Sequence, residues 1–159
     1  MFKEKDVETI VKKDKELIYL ASPYTHISKK IMYERFEKVL RLAAYLIRKG
    51  MFVFSPIAYG HVMAGRYKLP TDWKYWLGFD EKVISKCDKL MVFKLKGWQK
   101  SKGVQAEMRI AKKYKIPVEY IEDKIKRGIG TKLKRGMEDY AKIRNLKTID
   151  ILYNNLADS

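Results

Sequence analysis

The chain has 159 residues, of which 47% are hydrophobic and 34% are charged, a composition typical of one soluble globular domain and not of a disordered segment. No apolar run approaches the roughly 18 residues that a membrane span needs, and a single cysteine, Cys87, excludes an internal disulfide. No cluster of cysteine and histidine suits zinc, and the first residues lack the apolar core of a secretion signal, so we expect a cytoplasmic protein with no membrane partner.

The formal net charge of +16 is the least ordinary bulk property of the chain. A basic chain attracts anionic partners, which include nucleic acid, lipid headgroups and small phosphorylated molecules. The lysines are spread along the chain and do not form one tract, which favours a basic solvated surface. Charge alone therefore leaves nucleic-acid binding open without favouring it.

Short apolar runs, which predict buried strands, alternate with longer segments whose apolar residues recur at helical spacing. Gly50 follows the first helical segment where a C-terminal cap belongs, and Thr71 or Asp72 is suited to cap the next helix. Gly60 and Gly65 interrupt the segment after the second strand and predict a long loop there. In chain order we predict a charged leader at 1–16, a strand at 17–21, a helix from Ser28 to Ile47, a strand at 51–55, a loop at 57–71, a helix at 72–87, a strand at 89–95, a helix at 104–114, a strand at 116–121 and a basic helical extension at 122–159.

Strands that alternate with helices predict βαβ units with right-handed crossovers. The expected fold is an α/β fold, a small doubly wound parallel sheet of the flavodoxin-like or Rossmann-like three-layer kind, over residues 17–121. Ligands of such sheets bind outside the carboxyl ends of the strands. This rule selects the strand-end loops SPYTH, SPIAYGH and KGWQKSKG, which include both histidines.

Glu107 lies about one turn inside the helix that follows SKGV, among mostly apolar neighbours. A helix N-terminus stabilises a carboxylate by roughly 0.3–1 kcal/mol, so Glu107 is suited to act as an ionised nucleophile. A glutamate in a first helical turn is also common without any function. Spacing alone leaves both interpretations open.

Asp80 falls on the apolar stripe of the helix predicted at 72–87. A carboxylate in that position must be paired, hydrogen-bonded or functional, because burying it bare is costly. Two carboxylates that converge at strand ends suit the cleavage of a glycosidic bond. Tyr19, inside the first strand, is expected in the core with a carboxylate as a fitting partner for its hydroxyl.

Ser101, Lys102 and Gly103 precede the helix that carries Glu107. A hydroxyl, a cation and a glycine at a helix start suit an anion such as a phosphate. Ser101 as a simple helix cap is the equal alternative.

Four further residues of the strand-end loops are candidates for contact with a substrate. Ser22 and Pro23 directly follow the first strand, and His61 lies in the second loop. Trp98, in the third loop, is suited either to stack on a base or to cover the core.

Four separated motifs occur in order along the chain: IYLASPYTH, VFSPIAYGH, LPTDWKYWLGFDEKVISKCDKLMV and LKGWQKSKGVQAE. Over about residues 17–121 they resemble DUF1937, a family of small phage and bacterial proteins. That family is in turn similar to the nucleoside 2-deoxyribosyltransferases and the 2′-deoxynucleoside 5′-phosphate N-hydrolases. The first loop, SPYTHISKK, departs from the glycine- and arginine-containing loop of the N-hydrolases.

The resemblance implies a role for each matching residue. It implies that Glu107 is the nucleophile, that Asp80 assists proton transfer at the base, and that Tyr19 hydrogen-bonds the nucleophile. Ser101 matches a serine that contacts the 5′-phosphate in the N-hydrolases, and with Lys102 it favours a phosphorylated substrate.

The implied function is that of a nucleotide N-glycosidase or deoxyribosyltransferase that needs no metal or other cofactor. A nucleotide-binding module of the same fold without turnover is the second hypothesis, and nucleic-acid binding is the third. Related enzymes complete each site with a neighbour's C-terminal segment, so the resemblance also implies a homo-oligomer.

Overall fold

A computed structural model describes residues 16–123 of the chain, and these residues form alternating strands and helices. The predicted alternation is confirmed, with element ends that differ by a few residues from those expected. A single turn of 3-10 helix, Trp98–Lys100, follows the third strand. The strands and α-helices are β1 (Leu17–Ala21), α1 (Lys29–Arg48), β2 (Phe52–Phe54), α2 (Pro56–Tyr67), α3 (Trp73–Ile84), β3 (Lys89–Lys94), α4 (Lys102–Lys113) and β4 (Val118–Glu122).

The four strands form one parallel sheet in the order β2-β1-β3-β4. The chain leaves β1 toward β2 on one side and returns to β3 on the other side, so the winding direction reverses at β1. Tyr19 of β1 lies opposite Phe54 of β2 and Leu90 of β3, which places it at the centre of the sheet. The predicted doubly wound α/β fold is confirmed.

The two faces of the sheet are covered by different helices. On one face, Leu20 and Phe93 pack with Val39 and Leu42 of α1. The opposite face carries Tyr19 and the buried residues of α3 and α4. Because alternate residues of a strand point to opposite faces, β1 contributes Leu20 to one layer and its neighbour Tyr19 to the other. The described residues thus form three layers, and α3 and α4 share the layer that contains Tyr19.

Side-chain caps begin the helices where the sequence predicted helix starts. The Ser28 hydroxyl accepts from the Ile31 amide at the start of α1. Asp72, one of the two predicted caps, accepts from the Lys74 amide at 3.0 Å. Each such cap satisfies an amide that the helix itself leaves without a partner.

The loop predicted at 57–71 is wrong for most of its length, because helix α2 covers Pro56–Tyr67. The Ser55 hydroxyl caps this helix by accepting from the Ala58 amide at 3.2 Å, and Pro56 fits the first helical position. Gly60 is buried inside the helix, where a Cβ would make only an ordinary contact, 3.7 Å from the Trp76 ring, so this glycine does not break the helix. Reading the serine–proline pair as a helix start would have found α2.

The predicted leader at 1–16 and the predicted extension at 122–159 lie almost entirely outside the described residues. The homo-oligomer expected from the resemblance also stays a prediction. Within the described part of the chain, no helix is long and apolar enough to cross a membrane.

Candidate active site at the reversal of the sheet

A cavity of about 440 Å³ opens at the carboxyl ends of the strands. Ser22 and Pro23 after β1, Pro56 after β2 and Ser101 after β3 all contribute to its lining. Crevices form there in doubly wound sheets because the helices on either side of the reversal point diverge. The three loops selected from the sequence are therefore the loops that line the cavity.

Tyr19 and Glu107 meet beneath this cavity. Tyr19 is completely buried, and its hydroxyl donates to Glu107 Oε1 at 2.9 Å. Glu107 is 7% exposed, and it follows Val104 by three residues and precedes Ile110 by three, so it shares their inward face of α4. Ser101 caps α4, so the number of residues from Ser101 to Glu107 determines the face of the helix on which the Glu107 carboxyl group lies.

Asp80 approaches the same tyrosine from α3. It is one of two buried residues of that helix, and Ile84, four positions later, is the other. Burial raises the pKa of Tyr19 well above its usual range, and the charges on Glu107 and Asp80 raise it further, so both carboxyl groups lie beside the hydroxyl. The tyrosine therefore joins two carboxyl groups from two different helices.

Burial changes the proton affinity of all three groups. Desolvation raises the pKa of Asp80 to about 6, against the opposing effect of the Tyr19 hydroxyl. Desolvation and the nearby Asp80 charge raise the pKa of Glu107 well above its usual range, although the hydrogen bond from Tyr19 lowers it. Like charges in a dry site disfavour double ionisation, so the two carboxyl groups titrate as a coupled pair.

Three buried polar atoms around the cavity have no hydrogen-bond partner among the described residues. They are Ser22 Oγ, Asp80 Oδ1 and Glu107 Oε2. Most buried polar groups in proteins are satisfied, and each exception calls for an explanation. Since all three residues line one cavity, a bound molecule with donor and acceptor groups would satisfy them together.

A histidine and a tyrosine form a second polar pair on the cavity wall. The Tyr24 hydroxyl lies 2.6 Å from His61 Nδ1, and the imidazole stacks on the Phe36 ring with centroids 4.0 Å apart. Burial lowers the pKa of His61 and raises the pKa of Tyr24 to about 12. Both groups are consequently uncharged at neutral pH.

Three cationic side chains also line the cavity: Arg35, Lys100 and Lys102. The Arg35 guanidinium donates to the backbone carbonyls of Tyr24 and Lys96, at 3.2 Å each, and so ties the loop after β1 to the loop after β3. The neighbouring Gly97 has a φ of +89°, which a residue with a side chain rarely adopts. The guanidinium bonds to backbone carbonyls and to no carboxylate among the described residues, so no ion pair neutralises its charge, although burial lowers its pKa.

Nearly all of the residues that the sequence analysis selected meet in this cavity. Ser101 serves as the cap of α4, accepting from the Val104 amide at 3.4 Å, and lines the cavity as well. Trp98 does not line it; its side chain packs on the core and against Tyr120, so of the two roles considered it covers the core. The predicted residues that line the cavity are Ser22, Pro23, His61, Asp80, Ser101, Lys102, Gly103 and Glu107, with Tyr19 beneath them.

The lining residues that sequence reasoning missed include Tyr24, Arg35, Trp73 and Trp76. Tyr24 lies within SPYTH, so the selected loop contained the signal. The tryptophans were assigned to the apolar stripe of α3. The sequence pattern does not say what this stripe faces, so it could not place their half-buried rings on the cavity wall. Arg35 had no local signal, since it occupies an ordinary helical position.

The described residues contain no group of three or more histidine, cysteine, aspartate or glutamate side chains that suits a metal ion.

No curated protein matches this chain in a sequence comparison. The family model of DUF1937, described as a domain of unknown function, matches residues 16–123. That range includes every strand of the sheet and every residue of the cavity named above. The chain belongs to the DUF1937 family.

Proposed function

We propose that the cavity cleaves the N-glycosidic bond of a (deoxy)nucleoside 5′-monophosphate and passes the sugar to water or to a second base. The observation that carries this proposal is the pair of buried carboxyl groups, Asp80 and Glu107, each with one oxygen that has no partner among the described residues. Most enzymes that break a glycosidic bond use two carboxyl groups that flank the reacting carbon.

A purely structural role does not account for this pair. Burying an ionised carboxyl group costs several kcal/mol unless a partner compensates it. Glu107 receives one hydrogen bond, from Tyr19, and neither carboxyl group has an ion-pair partner among the described residues. Groups with perturbed pKa values that line a cavity are typical of active sites.

In the first step, Glu107 attacks C1′ of the sugar. A C–O bond forms between the carboxylate and C1′ as the C1′–N bond breaks, and its electron pair leaves with the base. The coupled carboxyl pair holds one proton in the reactive form, and in that form the proton is on Asp80, which gives it to the departing base nitrogen, so no free anion is released. Tyr19 orients Glu107 through the hydrogen bond to Oε1, which leaves Oε2 as the attacking atom.

In the second step, water attacks C1′ and Asp80, now ionised, takes its proton. The ester C–O bond breaks and Glu107 is restored. A second base in place of water would give transfer in place of hydrolysis. Two displacements at C1′ retain the configuration of the sugar.

The surroundings of the carboxyl pair favour a nucleotide. Trp73 and Trp76 provide flat apolar surfaces for a base, and the amino end of α4 with Ser101 and Lys102 suits a phosphate. The resemblance of the motifs to the deoxyribosyltransferases and the nucleotide N-hydrolases supports the same assignment.

The direct test is chromatography of the full-length protein incubated with (deoxy)nucleosides and their 5′-monophosphates, with free base as the readout. We expect base release from at least one monophosphate, and an acid-quenched sample should carry the sugar phosphate on Glu107 in intact-mass spectra. Binding of nucleotides without any released base would refute the proposal in favour of a binding module.

A further inference from the structure

The proposed reaction at the carboxyl groups does not use Tyr24 or His61, although both residues line the cavity. The imidazole is held on several sides: it stacks on Phe36 at an interplanar angle of 15°, and the Tyr24 and Tyr33 rings lie 5.6 and 6.4 Å away. A ring held in this way has a fixed orientation. Its residue also lines the cavity, so the position of its free nitrogen bears on what the cavity binds.

The hydrogen bond between Tyr24 and His61 determines which ring nitrogen carries the proton. A neutral imidazole has one acceptor nitrogen, which is a far better base than a phenol oxygen, so the Tyr24 hydroxyl donates to Nδ1. The remaining imidazole proton is then on Nε2. The ring stays neutral because burial lowers its pKa.

We infer that Tyr24 is a positioning residue that holds His61 as a neutral Nε2–H donor, and that this donor recognises an uncharged acceptor on the edge of the base. The acceptor class is a carbonyl oxygen or a ring nitrogen of a heterocycle. This inference rests on the proposed function, to which it adds a determinant of base recognition.

The surroundings of His61 favour a base over a phosphate as its ligand. A Cβ added at Gly60, the preceding residue, would lie 3.7 Å from the Trp76 indole, so the indole packs against α2 beside His61. The indole is itself fixed, because its N–H donates to the Pro70 carbonyl at 2.8 Å. A flat aromatic surface beside a neutral donor matches the face and the edge of a base. A phosphate would instead be attracted to Lys100 and Lys102, which line the cavity around the amino end of α4.

The first experiment measures the tautomer of His61 by nitrogen-15 NMR of the full-length protein labelled at histidine. The chain contains two histidines, and His26 is an internal control because its Nδ1 accepts from the Ser28 amide at 2.9 Å. We expect His61 in the Nε2–H form at pH 7.5, and a mixture of tautomers in Tyr24→Phe with His26 unchanged. An Nδ1–H form in the natural protein, or no change in Tyr24→Phe, would overturn the inference.

The second experiment tests recognition of the base by binding, with Glu107→Gln in all samples so that turnover does not interfere. The probes are the four common deoxynucleoside 5′-monophosphates and 2-deoxyribose 5-phosphate, which lacks a base. His61→Leu should bind the preferred nucleotide about tenfold more weakly, the value of a typical hydrogen bond, and the sugar phosphate unchanged. His61→Gln, whose amide places a donor near the position of Nε2, should recover most of the loss.

The outcomes separate this inference from the proposed function. Equal weakening of nucleotide and sugar phosphate by His61→Leu would overturn recognition of the base alone. The same holds if His61→Leu leaves the affinity for every nucleotide unchanged. If the Glu107→Gln protein with His61 intact binds none of the five probes, the inference and the proposed function are overturned together.

Discussion

Two consecutive carboxylates on α3, Asp80 and Glu81, have opposite surroundings. Asp80 is 7% exposed, has an oxygen without a partner among the described residues, and has a pKa raised by burial to about 6. Glu81 lies on the outer, partly exposed face of the helix, accepts from Lys113 at 2.6 Å and from the Tyr114 hydroxyl at 3.0 Å, and has a pKa lowered first by its hydrogen bond to Lys113. The helix thus has one acidic residue toward the cavity and one toward the solvent.

The difference shows how the pair α3–α4 combines stability with function. On the outer face, Glu81 links α3 to Lys113 of α4, a kind of contact that contributes at most about 1 kcal/mol. On the inner face, apolar packing by residues such as Ile84 and Val104 holds the same two helices together. The free energy gained from this packing offsets the free-energy cost of burying Asp80 and Glu107, which are the residues proposed to react. Each prediction below tests this contrast between the two faces.

The largest effect is expected for Glu107→Gln. The amide keeps the shape of the side chain and can still accept from Tyr19, but it cannot attack C1′, so base release should fall by three or more orders of magnitude. Chromatography of released base measures the loss, and circular dichroism checks the fold. Glu81→Gln is the matched control on the outer face, with activity close to that of the natural protein. Near-full activity of Glu107→Gln would contradict the covalent mechanism.

The pH dependence of kcat/KM should change next most strongly in Asp80→Asn. The reactive form has one proton on the carboxyl pair. As pH rises, activity should therefore increase when the first proton leaves the pair and decrease when the second proton leaves. Both limbs of the profile should lie above the usual pH range of carboxyl groups, because burial raises both pKa values. In Asp80→Asn the alkaline limb should disappear. The acid limb should move to lower pH, because the Asp80 charge no longer raises the pKa of Glu107.

Asp80→Asn should also lower the maximal rate by about a hundredfold or more, the usual contribution of a positioned acid or base. Rates measured from pH 4.5 to 9 provide both comparisons in one series. An alkaline limb that persists in the variant would assign that limb to a different group.

A smaller, selective effect is expected for Ser101→Ala combined with Lys102→Ala. A charge-assisted hydrogen bond is worth roughly 1.5–3 kcal/mol, so affinity for monophosphates should fall about ten- to a hundredfold, with little change for unphosphorylated nucleosides. Lys112→Ala, which removes the same charge from the exposed far end of α4, should have no such effect. Calorimetric titration distinguishes the two ligand classes, and equal losses for both would exclude a phosphate contact at this helix start.

The smallest effect concerns stability. The folded-state pKa of Asp80 is raised, so the folded protein holds this proton more tightly than the unfolded chain, and stability falls as pH rises between the two pKa values. Asp80→Asn should therefore raise the free energy of unfolding relative to the natural protein by about 3 kcal/mol at pH 8, and by much less at pH 4. Urea unfolding at both pH values measures the difference.

Glu81→Gln should show the opposite sign in the same unfolding series. The folded-state pKa of Glu81 is lowered, so its contribution is present above the unfolded pKa and is lost as pH falls through the folded pKa. Equal behaviour of the two variants would remove the contrast between the faces of α3.

The sequence by itself determined the local elements and the chemical candidates. Within residues 16–123, apolar runs and helical spacing identified the four strands and three of the four α-helices, because these patterns reflect burial on one or two faces. Asp80 stood out as a carboxylate on an apolar stripe, and Glu107 as a carboxylate behind a capping serine. Both signals lie within a few residues along the chain.

Only the tertiary structure decided which of these residues act together. Tyr19 and Glu107 are 88 positions apart, and Tyr24 and His61 are 37 apart, so no local pattern relates them. Their contacts depend on the strand order, which brings β1 between β2 and β3, and on helices that diverge at the reversal point. The neutral state of His61 likewise comes from its burial against Phe36, since a histidine exposed to water would keep its ordinary proton affinity.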